Sequence, residues 1–312
     1  MTTLSAVSST EPAPPPPPRA TGEPGSAGAV LLAYLGAHTD RLAVEAERAR
    51  TDEPDAVHQV RVNSRRLRSA LQAYRPLLDR ERTEPVVGML REFGRRMAPA
   101  RDTEVLEERI TGQLAELPDD LLLGPVQAFT TRHFARLGAQ ATADVVAELD
   151  GEHYARLRAA LDALLADPPL TKRAARPART ELPAVVARSA RRLARAVRAA
   201  NDPAEPHRDE AIHAARKAAK RLRYATDLAT PVVGKPAKRF ATGLKGLQTA
   251  LGEHQDTVVA RAMLRELGAR AENGFAFGIL YGRDTARAER IEEELPGLWK
   301  AAWRKRNRKW LG

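Results

Sequence analysis

The sequence has 312 residues, 43% of them apolar, which is enough for a large domain, or two ordinary ones, with a real core. The 51 Lys and Arg residues outnumber the 40 Asp and Glu residues, and the formal charge of +11 favours anionic partners. The chain contains no cysteine, which excludes disulfides, a thiolate nucleophile and cysteine-ligated metals.

Residues 1–27 form a segment rich in Pro, Ser and Gly that lacks the basic start and apolar run of a signal peptide. This composition predicts a disordered tail with polyproline II character. No later stretch approaches about eighteen consecutive apolar residues, so no transmembrane helix is expected. We therefore expect a cytoplasmic protein.

After the tail, apolar residues recur every three or four positions between prolines, and no alternating β-branched run indicates a strand. The pattern predicts an all-α fold. The predicted helices lie at 28–50, 55–75, 83–98, 101–116, 121–149, 151–166, 182–200, 208–229, 236–252, 255–269, 272–293 and 296–309.

Two segments of the chain are near copies of each other. AVHQVRVNSRRLRSA at 56–70 aligns with AIHAARKAAKRLRYA at 211–225 at a shift of 155 residues. A shift of 154 then brings Asp102 onto Asp256. A match that persists over a helix, a turn and another helix predicts a tandem duplication.

The duplication predicts two tandem helical-bundle repeats, at about 28–180 and about 181–312. A spacing this long does not suit a solenoid, so the repeats are expected to pack about a pseudo-two-fold axis. The two copies of the basic helix then face each other across a central basic groove or pore.

Each copy carries a cationic stripe opposite its apolar stripe. Four side chains of the first copy fall within about 80° on a helical wheel, namely His58, Arg61, Arg65 and Arg68. The second copy repeats them as His213, Arg216, Lys220 and Arg223. Neither segment contains an acid, so pairing within the helix cannot neutralise the stripe.

We interpret the paired stripes as the walls of an anion-binding site. Arginine donates two hydrogen bonds to a phosphate, Lys217 and Lys220 would act as point charges, and His58 and His213 can donate to phosphate oxygens. Two alternatives stay open, a solvated surface neutralised by acidic neighbours and histidines that only support the fold.

The motif His-x-x-Arg-x-x-x-Arg/Lys-Arg/Lys-Leu-Arg, present as HQVRVNSRRLR and HAARKAAKRLR, resembles the conserved histidine α-helical domain family, CHAD. LKGLQTALGEHQDT at 244–257 and GFAFGILYGRDTARA near the C-terminus are also similar to that family. The resemblance implies a CHAD-like domain over 28–312 that binds inorganic polyphosphate without catalysis and associates with polyphosphate granules. The ligands it implies are His58, Arg61, Arg65, Arg66, Arg68, His213, Arg216, Lys220, Arg221 and Arg223, with Arg91 and Lys245 as weaker candidates.

A nucleic-acid-binding protein is the first alternative function. The C-terminal LWKAAWRKRNRKW adds six cations, and its tryptophans could stack on bases. However, Trp299, Trp303 and Trp310 share one helix face, which is more typical of a core seam. Competition between polyphosphate and nucleic acid would separate the two functions.

A phosphohydrolase or phosphotransferase is the second alternative, because carboxylates are needed there to hold Mg²⁺. Asp102 and Asp256 occupy equivalent positions, but we expect them to cap helices or to pair with arginines of the groove. A metal site of these two residues with His58 and His213 is disfavoured by the neighbouring arginines. No cofactor and no membrane insertion are expected.

Overall fold

The structure, a computed structural model, describes residues 22–202 and 207–312, so most of the predicted tail lies outside the described residues. In these ranges the chain is all-α, as predicted, with four short 3₁₀ helices and isolated bridges but no strand. The α-helices are α1 (Ala27–Arg50), α2 (Ala56–Ala73), α3 (Arg80–Arg96), α4 (Ala98–Ala115), α5 (Val126–Asp150), α6 (Glu152–Ala166), α7 (Ala178–Ala200), α8 (Arg208–Val233), α9 (Lys235–Arg270), α10 (Phe275–Ala302) and α11 (Lys305–Arg308).

The placed chain begins before the predicted boundary at residue 28. The Ser26 hydroxyl accepts a hydrogen bond from the Ala29 amide and caps α1. The Ala27 amide donates to the Arg176 carbonyl, and the Ala178 amide donates to the Gly25 carbonyl. The end of the predicted tail is therefore not disordered, because it joins the start of α1 to the start of α7.

Two predicted breaks between helices are absent. The predicted break at 252–255 is absent, and α9 runs unbroken for 36 residues through Gly252. A glycine inside a helix costs about 1 kcal/mol relative to alanine, which the packing of this helix offsets. Likewise α10 continues through Pro296, whose neighbour Leu295 is fully buried.

The helices enclose two clusters of buried apolar residues. The main cluster includes Leu31, Leu67, Phe93, Leu222 and Phe240, and it joins helices from both halves of the sequence. Fully burying one such side chain contributes about 1.5–3 kcal/mol. The pseudo-two-fold relation of the two repeats stays a prediction.

The second, smaller cluster also draws on both halves. Ile110 and Phe134 come from α4 and α5, and they pack with Leu264, Leu267 and Phe277 of α9 and α10. Because α9 contributes to both clusters, it links the main body of the protein to the end of α4.

The basic helices α2 and α8 contact each other directly. The buried Tyr74 hydroxyl, just after α2, donates to the Ala225 carbonyl of α8 at 2.9 Å. Helices α4 and α9 pack against this pair. No helix among the described residues has the length and apolar character needed to cross a membrane.

Candidate anion-binding site

The apolar stripes of α2 and α8 set the rotation of both basic helices. Val60 and Leu67 are buried on α2, and Ile212 and Leu222 are buried on α8. Each cationic stripe therefore points away from the core. The two stripes meet at a cavity between the helices.

This central cavity has a volume of about 460 Å³ and lies between α2, α4, α8 and α9. Six of the predicted residues line it, namely His58, Arg61, Arg65, His213, Arg216 and Lys220. Two further cations, Arg101 and Arg109, come from α4, and the two carboxylates are those of Asp102 and Asp256. Cations therefore outnumber carboxylates six to two in the lining.

On the α2 wall, Arg61 is held by three acceptors. Its Nη1 donates to the Met97 carbonyl at 3.0 Å and also to the Ala98 carbonyl, at the junction of α3 and α4. Its Nη2 donates to Asp102 Oδ1 at 3.1 Å. Arg61 is thus fixed in place before any ligand binds.

Arg65 is the second fixed arginine of this wall. Its Nε donates to the Tyr224 hydroxyl at 2.8 Å, and its guanidinium carbon lies 5.9 Å from the centroid of the Tyr224 ring. This bond crosses from α2 to α8. The remaining nitrogens of Arg65 are left for the cavity.

On the α8 wall, the cations have fewer partners. Arg216 Nη2 lies 3.9 Å from Asp256 Oδ1, an ion pair without a hydrogen bond, and its buried Nε has no partner within the described ranges. Lys220 has neither a hydrogen bond nor an ion pair among the described residues. The His213 Nδ1 is hydrogen-bonded to Gln255.

The pKa values of the cavity follow from burial and from like charges. Burial, followed by the charges of Arg216 and Arg65, lowers the pKa of Lys220 to about 7. Burial, followed by the charge of Arg101, also lowers the pKa of His58 below its ordinary value. The buried positive charge of the cavity therefore raises the free energy of the unliganded protein, and a bound anion would offset this.

Both carboxylates of the cavity pair with arginines. Asp102 contacts Arg61 and Asp256 contacts Arg216, so the prediction that these two residues pair with arginines of the groove is confirmed. Burial raises the pKa of Asp256, and the charge of Arg216 lowers it. Arg101 and Arg109 pair with carboxylates outside the lining, Glu104 and Asp284. The alternative in which acidic neighbours neutralise every cation is still true only in part, because Arg65 and Lys220 have no ion pair among the described residues.

Other predicted ligands lie outside the central cavity. Arg66 projects from α2 toward Asp227, with Nη1 3.6 Å from the carboxylate, and stacks over the Tyr224 ring at 5.5 Å. Arg66 directly follows Arg65 in the motif, so its side chain leaves the helix about 100° away from that of Arg65. Three more are exposed and do not line the cavity, namely Lys217, Arg223 and Lys245.

Arg68 and Arg91 line a neighbouring cavity of about 270 Å³ between α2 and α3. Arg61 and Arg65 line both cavities, so the two spaces meet at these arginines. Burial, then the charges of Arg91 and Arg221, lowers the pKa of Arg68. Arg221 itself lines a third pocket, against α7.

Sequence reasoning missed the α4 cations. Arg109 lies seven residues after Asp102, two helical turns along the same face, and this spacing was the available signal. Arg109 Nη2 also pairs with the buried Asp284 carboxylate at 2.5 Å, which fixes α4 against α10. The acidic residues between the two positions obscured the pattern.

The tryptophans pack inward as predicted, but they do not share one helix face, because α10 ends at Ala302 and Trp310 lies in the last 3₁₀ helix. Trp299 and Trp303 stack with their rings 4.4 Å apart, and Trp310 packs edge-on against Phe240. All three tryptophans pack against the main cluster. Their faces are therefore engaged within the protein.

The one group with metal-ligand geometry in the described part of the chain is Asp209, His254 and Glu292. It does not include the four residues considered from the sequence. Arg208 and Arg261 already pair with its two carboxylates. We interpret this group as a network of ion pairs at the start of α8, not as a metal site.

Comparisons with known proteins identify the family of the chain. The family model of the CHAD domain matches residues 33–265. Two curated relatives from Mycobacterium tuberculosis, Uncharacterized protein MT2285 and Uncharacterized protein Rv2226, are each 36% identical over 251 residues, which is 79% of this chain. The alignment covers 48% of each relative, so the chain spans about half of their length.

Two solved structures share the fold. PptA from Streptomyces chartreusis superposes with a TM-score of 0.70 and 21% identity, covering 88% of this chain and 99% of that chain. The CHAD domain from the plant Ricinus communis superposes with a TM-score of 0.68 and 22% identity, covering 92% and 96%. At this level of identity, the likeness concerns the fold.

Proposed function

The chain belongs to the CHAD domain family, and on that premise we propose that it binds inorganic polyphosphate in the central cavity without turning it over. The partner is a linear polyanion whose phosphates contact α2 on one side and α8 on the other. This binding would hold the protein at polyphosphate granules in the cytoplasm.

The charge balance of the central cavity is the observation that carries the proposal. Six cations and two carboxylates line one half-buried space, although Arg101 and Arg109 also pair with Glu104 and Asp284 outside it. Lys220 makes no hydrogen bond or ion pair among the described residues. Each charge-assisted hydrogen bond to a phosphate is worth about 1.5–3 kcal/mol. A polyanion is the ligand class that supplies several such bonds at once.

The neighbouring arginine cavity supports a ligand longer than one phosphate. It shares Arg61 and Arg65 with the central cavity and adds Arg68, Arg91 and Arg95. A chain that passes these shared arginines would remain in contact with cations on both sides. A single small anion would leave most of this surface unpaired.

Two features favour polyphosphate over nucleic acid. The tryptophans that could have stacked on bases pack against the main cluster instead. The polar lining of the central cavity consists mainly of charged side chains, which bind phosphate groups without reading bases. Nucleic acid remains the competing ligand in the experiment below.

A non-catalytic role is part of the proposal. Asp102 and Asp256 are the carboxylates of the central cavity, and each contacts an arginine. Phosphoryl transfer generally places carboxylates on Mg²⁺ beside the phosphates. Incubation with polyphosphate and Mg²⁺ should therefore leave the chain length unchanged on a gel, and shortening would contradict this part.

Calorimetric titration with long-chain polyphosphate tests the binding itself. Arg61→Ala/Arg216→Ala should weaken binding by about 100-fold or more, since two charge-assisted contacts are lost. The matched control, Lys217→Ala/Lys245→Ala, removes the same charge from exposed positions outside the cavity and should change affinity far less. Equal losses in both variants would remove the cavity from the mechanism.

Competition at fixed salt tests the choice of ligand, because polyphosphate and nucleic acid both bind with steep salt dependence. Long-chain polyphosphate should displace labelled polyphosphate more effectively than DNA or RNA at equal phosphate concentration. Displacement by nucleic acid at the same concentration would overturn the assignment.

A further inference from the structure

A separate pocket lies where α2, α7 and α8 meet, and no step of the proposed function uses it. Its volume is about 170 Å³. Its polar lining consists of Ser69, Gln72, Arg75, Ser189, Arg192 and Arg221, and two alanine side chains complete the wall. We call it the α7 pocket.

Every polar side chain of the α7 pocket can donate hydrogen bonds. Arginine only donates, whereas serine hydroxyls and the glutamine amide can do so as well. The lining contains no carboxylate. This donor set is complementary to an anion and poorly suited to a cation or an apolar ligand.

Two hydroxyls of the α7 pocket belong to largely buried serines. Ser69 and Ser189 are each 8% exposed, and neither hydroxyl makes a hydrogen bond within residues 22–202 and 207–312. A serine inside a helix commonly bonds the carbonyl four residues earlier. Neither oxygen is fully enclosed by the protein, so both hydroxyls are available to a ligand in the pocket.

The arginines of the α7 pocket keep donors available to a ligand, and two of them, Arg192 and Arg221, are exposed. Arg192 and Arg221 have no ion pair among the residues that the structure describes. Arg75 pairs with Glu84 at 2.8 Å through Nη2, which holds it while leaving other nitrogens free. The charge of Arg221 also lowers the pKa of Arg68, which indicates mutual repulsion between these groups.

The size of the α7 pocket limits the ligand. Sites for drug-sized molecules measure about 300–1,000 Å³, and this pocket is smaller. We propose that the α7 pocket is a second anion site, which binds one phosphate group. The group is either free orthophosphate or the terminal phosphate of a longer chain.

The position of the pocket is the reason for naming the terminal phosphate of a longer chain as the second source. On α2, Ser69 lies four residues after Arg65, about 6 Å further along the helix axis. On α8, Arg221 directly follows Lys220. The existence of the α7 pocket does not depend on what fills the central cavity, but a chain bound there could place its end in the pocket.

Equilibrium dialysis of the full chain with labelled orthophosphate at millimolar concentration tests the site. The Arg61→Ala/Arg216→Ala background removes two arginines of the central cavity, and we expect it to retain one orthophosphate per chain. In that background, Arg192→Ala should weaken binding at least tenfold, and Ser69→Ala/Ser189→Ala should weaken it severalfold. Circular dichroism would verify that each variant is folded.

The matched control is Arg191→Ala, an exposed arginine on α7 that does not line the pocket. We expect it to bind orthophosphate as the background protein does. A loss equal to that of Arg192→Ala would indicate general charge and would overturn the proposal.

A second arm separates the two sources. Capping the ends of polyphosphate should weaken its binding to the wild type but not to Arg192→Ala if the pocket takes chain ends. If orthophosphate binding and end dependence are both insensitive to Arg192→Ala, the proposal is wrong. The proposed function would stand in that case, because it is tested with long chains and the two central arginines.

Discussion

The two basic helices carry nearly the same motif, yet their equivalent arginines are held differently. Arg61 on α2 has three acceptors, two of them carbonyls. Within the described part of the chain, Arg216 on α8 has only Asp256, at 3.9 Å. The motif therefore specifies where the charge lies, and the neighbouring helix decides how firmly it is held.

The cause lies in the helices behind each wall. In the first half, the chain breaks between α3 and α4 at Met97, and this break brings the carbonyls of Met97 and Ala98 within reach of Arg61. The positions equivalent to Met97 and Ala98 in the second half lie inside the unbroken α9, and within the described ranges Arg216 reaches no carbonyl there. The α2 wall is consequently pre-organised, and the α8 wall keeps donors that a ligand can satisfy.

The strongest test of this explanation is to interrupt α9. Pro99 of the first half corresponds to Glu253 of the second at the shift of 154. Glu253→Pro should lower the free energy of unfolding by about 3 kcal/mol, since proline inside a helix removes a hydrogen bond and clashes with the preceding turn.

Glu253→Ala is the control, because it removes the Glu253–Arg287 ion pair while keeping the helix. Chemical denaturation should separate the two variants clearly. If both variants have the same stability, the continuity of α9 at this position is not needed to hold the fold.

The second test compares the two arginines in stability. Arg61→Ala should lower the free energy of unfolding by about 1–3 kcal/mol, because the carbonyls of Met97 and Ala98 lose a donor. Arg216→Ala should change it by much less, since its burial is poorly compensated. Urea denaturation of both variants measures the two free energies of unfolding. Equal losses would show that the two arginines are held equally firmly.

The third test uses pH, through Lys220. Because its pKa in the folded protein, about 7, is below the unfolded value, Lys220 loses its proton as the pH rises through 7. A bound polyanion raises that pKa, so binding takes up a proton, and affinity should fall by about tenfold between about pH 6.5 and 8.5. Titrations in buffers of different ionisation enthalpy would detect the proton uptake.

The environment of Lys220 includes Arg65 from α2, Arg216 and Arg223 from α8, and Asp256 from α9. Lys220→Arg should flatten the pH profile, because arginine stays charged. The exposed Lys217→Arg should leave the profile as in the wild type. By the same linkage, the protein alone should gain stability as the pH rises from about 7 toward about 10.5, where only the unfolded chain keeps this proton.

The smallest expected effect concerns the link between the walls. Tyr224→Phe removes the hydroxyl that accepts from Arg65 Nε at 2.8 Å but retains the ring beneath Arg66. Polyphosphate affinity should fall by about 0.5–1.5 kcal/mol, which titration calorimetry resolves. The exposed Tyr281→Phe should have no effect, and equal behaviour of the two variants would show that the link does not position Arg65.

The sequence was sufficient to place the central cavity, because helical periodicity and duplication both pointed to Arg61, Arg65, Arg216 and Lys220. It was not sufficient for Arg66, which was included because it belongs to the motif. On a helical wheel Arg66 already lies about 100° away from Arg65. The structure places its guanidinium next to the Asp227 carboxylate.

The remaining differences depend on tertiary packing. Gly252 gave a reasonable local signal for a helix end, but burial of Leu251 and Leu264 keeps α9 continuous. That continuity changes the partners of Arg216, which lies on another helix. A local pattern could not reveal this, because the cause and its effect are distant along the chain.

The second apolar cluster has a consequence for how the halves could be separated. Ile110 and Phe134 of the first half need Leu264 and Phe277 of the second to be buried. Fragments made by cutting the chain near residue 180 would each expose part of this cluster, so we expect neither to fold alone. Mixed together, they should complement each other, and recovery of anion binding would report their reassembly, because each fragment carries one wall of the cavity.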